Sequence, residues 1–116
     1  MEKLSISDLH IILVEPSDTQ RKIITTLLLK EKVKEIDPVS TLSEAMSAVK
    51  AHGADLIVSA MYFEDGTAID LLKFIKENDE FKTIPFMLVS SENRISKLEE
   101  FKQAGVAAIL PKPFEP

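Results

Sequence analysis

The sequence predicts an α/β domain built on a doubly wound, five-stranded parallel sheet. Three observations carry this. Five short apolar runs recur along the chain, and the first four are each followed by a longer segment with helical spacing. The first run, moreover, is unbroken and β-branched, which suits a strand covered on both faces.

His10-Ile11-Ile12-Leu13-Val14 forms the first strand and stops at Glu15-Pro16. Ser17-Asp18-Thr19-Gln20 then has the spacing of a capping box, a hydroxyl followed three residues later by Gln. Asp18 falls in the first turn, where the helix dipole stabilises a negative charge. Ile23, Ile24, Leu27 and Leu28 supply the stripe that lies on the sheet, and the helix fades through Lys30-Glu31-Lys32. Ile36 to Val39 is a weak second strand; Pro38 has no N–H to donate, which places the strand at an edge. Thr41-Leu42-Ser43-Glu44 repeats the capping spacing, and Ala45, Met46, Val49 and Lys50 continue a short helix to His52-Gly53.

Asp55 to Ala60 is the third strand. Thr67 with Asp70 opens the next helix, whose buried side is expected to use Ile69, Leu72 and Ile75 or Phe74. Pro85 to Ser90 is the fourth strand. Ile95, Leu98 and Phe101 mark the fourth helix, closed by Gly105. Val106 to Leu110 is the fifth strand, ended by Pro111-Lys112-Pro113. Crossovers should be right-handed. The helix expected after the fifth strand is missing, because the chain stops at Phe114-Glu115-Pro116. One sheet face is then half uncovered. The 116 residues read as a single domain, cut from or attached to a longer protein, or covered by another chain.

Composition narrows the function classes. With 14 Lys+Arg against 19 Asp+Glu, the net charge is −5 and no basic run is visible, which argues against a direct nucleic-acid binder. The absence of cysteine excludes disulfides, thiolate zinc sites and cysteine nucleophiles. No stretch approaches the roughly 20 apolar residues that span a bilayer, and the first residues lack the apolar core of a secretory signal. The expectation is a cytoplasmic protein with no membrane or nucleic-acid partner. His10 and His52, at a strand start and a helix end, have no second ligand near them in sequence, so no metal site is expected there.

Sheets of this kind place functional residues at the carboxyl ends of their strands. That rule points to Glu15-Pro16, Ser59-Ala60-Met61, Ser90-Ser91 and Lys112. Five stretches around these positions are informative together: Ile11 to Pro16 with Arg21 following, Asp55 to Ala60, Asp65-Gly66-Thr67 through Leu72, Ile84-Pro85 through Ser90, and Ala104-Gly105-Val106 through Phe114. In order and spacing the chain resembles the receiver domain of bacterial two-component response regulators, of the chemotaxis-protein type. The resemblance covers essentially the whole chain up to Pro113. It implies a flavodoxin-like sheet of order 2-1-3-4-5.

That resemblance also implies roles. Receivers accept a phosphoryl group from a histidine kinase on an aspartate ending strand three, with magnesium held by two acidic residues ending strand one. A hydroxyl after strand four and a lysine after strand five contact the phosphoryl oxygens. Carried over singly, the acids fall on Glu15 and Pro16, the acceptor on Ala60, the hydroxyl on Ser90 and the lysine on Lys112. The aromatic switch position falls on Ile109, and the proline usual four residues past the acceptor falls on Glu64. Scaffold is kept and chemistry lost.

Physical chemistry agrees. Magnesium needs an octahedron of oxygens, and neither Pro16 nor Ala60 offers a side-chain oxygen. Phosphoryl transfer needs a nucleophile in line, which a methyl group does not supply. Ser59 neighbours Ala60 but faces the other side of the sheet. With one carboxylate beside one lysine, a direct or water-bridged Glu15–Lys112 contact is expected. Ser90 and Ser91 are expected to cap the fourth helix.

The sequence thus predicts a non-enzymatic, receiver-like signalling module that cannot be phosphorylated. It needs no cofactor and acts through protein contacts, with a protein partner or attached output domain. The expected contact surface comprises Ile95, Leu98, Glu99, Lys102, Ile109 and Phe114, with the ground left by the absent helix; a homodimer fits uncovered apolar sheet. Met61-Tyr62-Phe63 is expected to divide between core and contact surface. The alternatives are phosphorylation at a non-standard residue, or sensing of a small ligand such as a nucleotide at the strand ends. Against the last, no Gly-rich phosphate loop follows the first strand.

Overall fold

A computed structural model describes residues 8–90 and 94–111 of the chain. The strands are β1 (His10–Val14), β2 (Glu35–Val39), β3 (Leu56–Ser59), β4 (Tyr62–Phe63), β5 (Gly66–Thr67), β6 (Phe86–Ser90) and β7 (Ala108–Pro111); the helices are α1 (Asp18–Lys30), α2 (Leu42–His52), α3 (Ala68–Lys76) and α4 (Ile95–Ala104). β2, β1, β3, β6 and β7 form one parallel sheet in that order. Apart from the ribbon β4–β5, two residues to a strand and without counterpart among the expected elements, this is the order 2-1-3-4-5. Pro38 stands in β2 at the sheet edge, as its missing donor requires.

Period-two alternation sends neighbouring residues of each central strand to opposite faces. Ile12, Val14, Ile57 and Leu88 pack into one core with Leu42, Ala45 and Val49 of α2, Leu71, Leu72 and Ile75 of α3, and Phe101 of α4. Ile11, Leu13, Val58 and Val89 face the other way and pack on Ile24 of α1. On that second side an open groove of about 280 Å³ has walls that are all apolar: Ile24, Leu27 and Leu28 on α1, with Leu56, Val58, Met87, Val89 and Leu110 from the sheet.

Three local expectations are corrected by the structure. The buried side of α3 is Ala68, Leu71, Leu72 and Ile75; Ile69 and Phe74 are only partly buried. The helix begins directly after the ribbon, and this phase puts Leu71 rather than Ile69 against the sheet. Second, the capping box at Ser17 is half formed. Ser17 Oγ accepts the Gln20 N–H at 3.2 Å, but the Ser17 N–H goes to the Glu15 carboxylate instead of to Gln20. Third, α4 is not capped by Ser90: its N-cap is Arg94, and Ser90 is the last residue of β6. Gly105 closes α4 in the left-handed region at φ 108°, as expected.

Candidate functional site

The carboxyl ends of β1, β3 and β6 meet in a cavity of about 140 Å³ lined by Glu15, Pro16, Ala60, Met61, Tyr62, Val89 and Ser90. Four of the five residues that the resemblance assigns to the phosphoacceptor pocket are therefore brought together. The fifth, Lys112, lies outside the described residues, and with it the expected Glu15–Lys112 contact; Ser91 and Phe114 lie outside as well.

Each wall has a local cause. Ala60 follows the last residue of β3, and its N–H continues the ladder to the Val14 carbonyl at 2.8 Å, so the methyl is fixed at the strand end and buried. Glu15 does the same for β1, its N–H reaching the Val39 carbonyl at 3.0 Å. The Glu15 side chain is only 1% exposed, and its Oε2 accepts the Ser17 N–H at 3.0 Å. Arg21 reaches back one turn to donate Nη1 to the Glu15 carbonyl at 2.8 Å, while its Nη2 bonds Asp18. Glu15 is thus tied by both its carboxylate and its carbonyl to the start of α1. Ser90 Oγ donates to the Met61 sulfur at 3.7 Å, a weak acceptor, across the floor between β3 and β6. Ser59 Oγ, fully buried, donates to the Ala60 carbonyl at 2.8 Å.

Magnesium does not fit this donor set. An octahedral site takes several oxygens, at least one or two of them carboxylate. Among the residues lining the cavity Glu15 is the only carboxylate, and one of its oxygens already serves a backbone N–H.

The loop beyond the cavity holds a contact that sequence reasoning missed. Asp65 Oδ1 accepts the Leu42 N–H and Oδ2 the Ser43 N–H, both at 3.1 Å. Those are the first N–H groups of α2, which the helix itself leaves without partners. Desolvation pushes the Asp65 carboxyl up, but the backbone N–H groups of Leu42, Ser43 and Asp65 itself together outweigh it and hold the group below the ordinary range. Glu44 is also held low, chiefly by the Ser40 N–H at 3.0 Å and then by the Ser40 hydroxyl. An acidic residue before a glycine is visible in the sequence; its target, more than 20 residues back, is not.

Of the expected contact surface, Leu98, Lys102 and Ile109 line one groove of about 420 Å³ between α4 and β7, together with Val106, Ala107, Ala108 and Ser90. Glu99 is exposed on α4, outside that lining, and Ile95 is the first residue of the helix. At the opposite end of the sheet the structure brings together what the sequence keeps apart. His10 Nε2 lies 2.8 Å from Asp37 Oδ2, and the His10 and His52 rings are edge-on at 6.5 Å. Among the described residues no group of His, Asp and Glu is placed to hold a metal ion.

A parallel sheet of order 2-1-3-6-7, wound on both faces, with strand ends converging on Glu15, Ala60 and Ser90, defines a receiver-type signalling fold. Comparison with known proteins gives the family. Residues 11–116 match the model of the response regulator receiver domain, and the chain belongs to that family. It is 31% identical over 111 residues to the two-component response regulator ORR3 of Oryza sativa subsp. japonica, covering 92% of this chain and 82% of that protein. It is 27% identical over 114 residues to chemotaxis protein CheY-3 of Vibrio cholerae, covering 98% and 88%. Against the rice regulator ORR7 it is 30% identical, but spans only 51% of that protein's length. Among solved structures, the chemotaxis response regulator CheY4 of Vibrio cholerae superposes with a TM-score of 0.84 at 22% identity, covering 92% of this chain and 88% of that one. Similar proteins thus come from plants as well as bacteria, so the likeness does not restrict the family to bacterial pathways. Receiver domains are signalling modules that interact with proteins such as kinases and output domains. Among the described residues no helix is long and apolar enough to cross a membrane.

Proposed function

We propose that this receiver domain does not cycle phosphate and acts in two-component-type signalling through protein contacts alone. The observation that carries the reading is the methyl of Ala60, buried at the carboxyl end of β3 where the family's acceptor carboxylate would stand. Pro16 removes a second oxygen from the same cavity. The remaining acid, Glu15, spends one carboxylate oxygen on the start of α1. Neither an in-line nucleophile nor a charged cage is then available to the phosphoryl group. Ser59 does not substitute for it, because its hydroxyl is buried and turned onto the Ala60 carbonyl.

In this reading the contact surface is the α4–β7 face with Leu98, Lys102 and Ile109, and an attached output domain or separate protein is the partner. The test is incubation with acetyl phosphate and magnesium, followed by intact-mass measurement under neutral and acidic conditions. The expected mass is unchanged. A gain of one phosphoryl group at any residue overturns the reading, and mapping that residue would identify the replacement acceptor.

A further inference from the structure

We infer that the groove between α1 and the sheet binds a medium-chain alkyl carboxylate, its chain lying in the groove and its head on Lys22 and Lys30 of α1. The inference goes beyond the protein-contact reading and does not depend on it. Among the described residues the walls of this groove, about 280 Å³ in volume, are aliphatic side chains and the Met87 thioether. The strand-end cavity and the α4–β7 groove differ, since Glu15 stands in the wall of one and Lys102 in that of the other. Walls of this kind offer a ligand no side-chain hydrogen bond, so it is hydrocarbon that gains by entering. An apolar cavity of about 150 Å³ takes a six-carbon ring. In proportion, 280 Å³ takes a chain of about ten carbons. The groove is open to solvent: Leu27, Leu28, Leu56 and Met87 each keep part of their surface, and Leu110 is 36% exposed. That apolar surface is what a bound chain would remove from water.

Charge selects the head group. Leu27 also lines a second depression on α1, of about 140 Å³, together with Lys22, Ile23, Thr26 and Lys30. Lys22, Thr26 and Lys30 recur every four residues and are exposed, so one row of the helix carries ammonium, hydroxyl and ammonium in turn. No carboxylate is among the described residues lining either depression, and neither lysine belongs to an ion pair among them. A positive strip on a chain of net charge −5 thus borders a hydrocarbon groove across one shared side chain. That juxtaposition matches an amphiphile with an anionic head. The head stays in water, where the ammonium groups and the hydroxyl meet its oxygens without burying a charge. The volume admits one chain of this length, which selects a free single-chain acid over a two-chain lipid.

Isothermal titration calorimetry with sodium decanoate, kept below the concentration at which it forms micelles, tests this on the 116-residue chain. One decanoate should bind per chain. Octanoate, shorter by two methylenes, should bind about tenfold more weakly. Decyltrimethylammonium, with the same chain and the opposite charge, should also bind more weakly than decanoate. Lys22→Glu with Lys30→Glu, both on the exposed side of α1, should abolish the preference for the carboxylate and keep the dependence on chain length. Leu110→Trp puts an indole across the groove and should weaken decanoate binding at least about tenfold. Thermal melts report whether Leu110→Trp folds; if it does not, the lysine pair decides through the head-group preference. Absence of saturable decanoate binding, equal affinity for octanoate and decanoate, or a preference for the quaternary ammonium overturns the inference. So does a folded Leu110→Trp that binds decanoate as well as the native chain. A chain that ignores decanoate but sediments as a dimer, or floats with phosphatidylglycerol vesicles, overturns it too and gives the groove to a second copy or to a membrane.

Discussion

The carboxylate of Asp65 accepts the backbone N–H of Leu42 at 3.1 Å, a contact that spans 23 positions of the chain. With its other oxygen on the Ser43 N–H, Asp65 ties the β4–β5 ribbon, which carries Tyr62, to the start of α2. The loop beside the strand-end cavity is therefore held from a second element.

Removing that tie should show in stability and in its pH dependence. Asp65→Ala is expected to lower the melting temperature and to leave the fold intact. The folded-state carboxyl sits below its ordinary value, so its contribution is complete above the unfolded-state pKa and is lost as pH falls through the folded one. The difference between the native chain and Asp65→Ala should then be constant near neutrality and shrink at acid pH. A gap that widened on acidification would contradict the assignment. Thermal melts at several pH values decide it.

Placing a carboxylate at the end of β3 should cost stability before it adds function. Ala60→Asp places a charge in a buried site beside Glu15, and destabilisation of about 1–3 kcal/mol is expected. Magnesium should not recover it while Pro16 remains. The double variant Pro16→Asp with Ala60→Asp assembles three carboxylates at the cavity, and its melting temperature should rise on adding magnesium. Equal magnesium response in the single and double variants would show that Pro16 is not what excludes the ion.

The phase of α3 is directly measurable. Leu71 is fully buried, whereas Ile69 is only partly so. Leu71→Ala should cost about 2–5 kcal/mol in denaturant unfolding. Ile69→Ala should cost clearly less, and the reverse order would mean that the helix is rotated from the arrangement described.

Two glycines with positive φ should respond differently to a methyl group. Gly53 at φ 67° and ψ −168° has nothing within 4 Å of an added Cβ, so Gly53→Ala meets backbone strain alone, about 1–3 kcal/mol. At Gly66, φ 144°, an added Cβ would lie 2.9 Å from Leu42 Cδ1 and would collide with the Asp70 carboxylate that holds the Thr67 N–H. Gly66→Ala should therefore be the more destabilising of the pair in denaturant titrations, and should loosen the start of α3.

Much of the fold is legible in the order of the amino acids. Helix starts at Ser17, Thr41 and Thr67 follow from local chemistry and stand where a hydroxyl followed three residues later by Gln, Glu or Asp puts them. Short apolar runs locate the five strands to within two residues, and the rule of strand ends is enough to gather Glu15, Pro16, Ala60 and Ser90. Ser90 shows the limit. Its hydroxyl suits a helix cap, and nothing local weighs that role against Met61, 29 positions earlier, whose sulfur it meets across two strands. The edge-on meeting of His10 and His52 is hidden for the same reason, since β1 and α2 supply one ring each.

What the amino-acid order determined by itself, then, was a set of features fixed within a turn or a strand: alternation in the central strands, the helix starts at Ser17, Thr41 and Thr67, the edge place of Pro38, and the absence of a side-chain oxygen at positions 16 and 60. Tertiary structure decided the partnerships: Asp65 with α2, Arg21 on the Glu15 carbonyl, Leu71 rather than Ile69 in the core, and Tyr62 left exposed at the rim of the strand-end cavity. The division is physical. Propensity and capping depend on neighbours a few bonds away, whereas a contact across the sheet depends on the rotation and offset of whole packed elements, which no local pattern encodes.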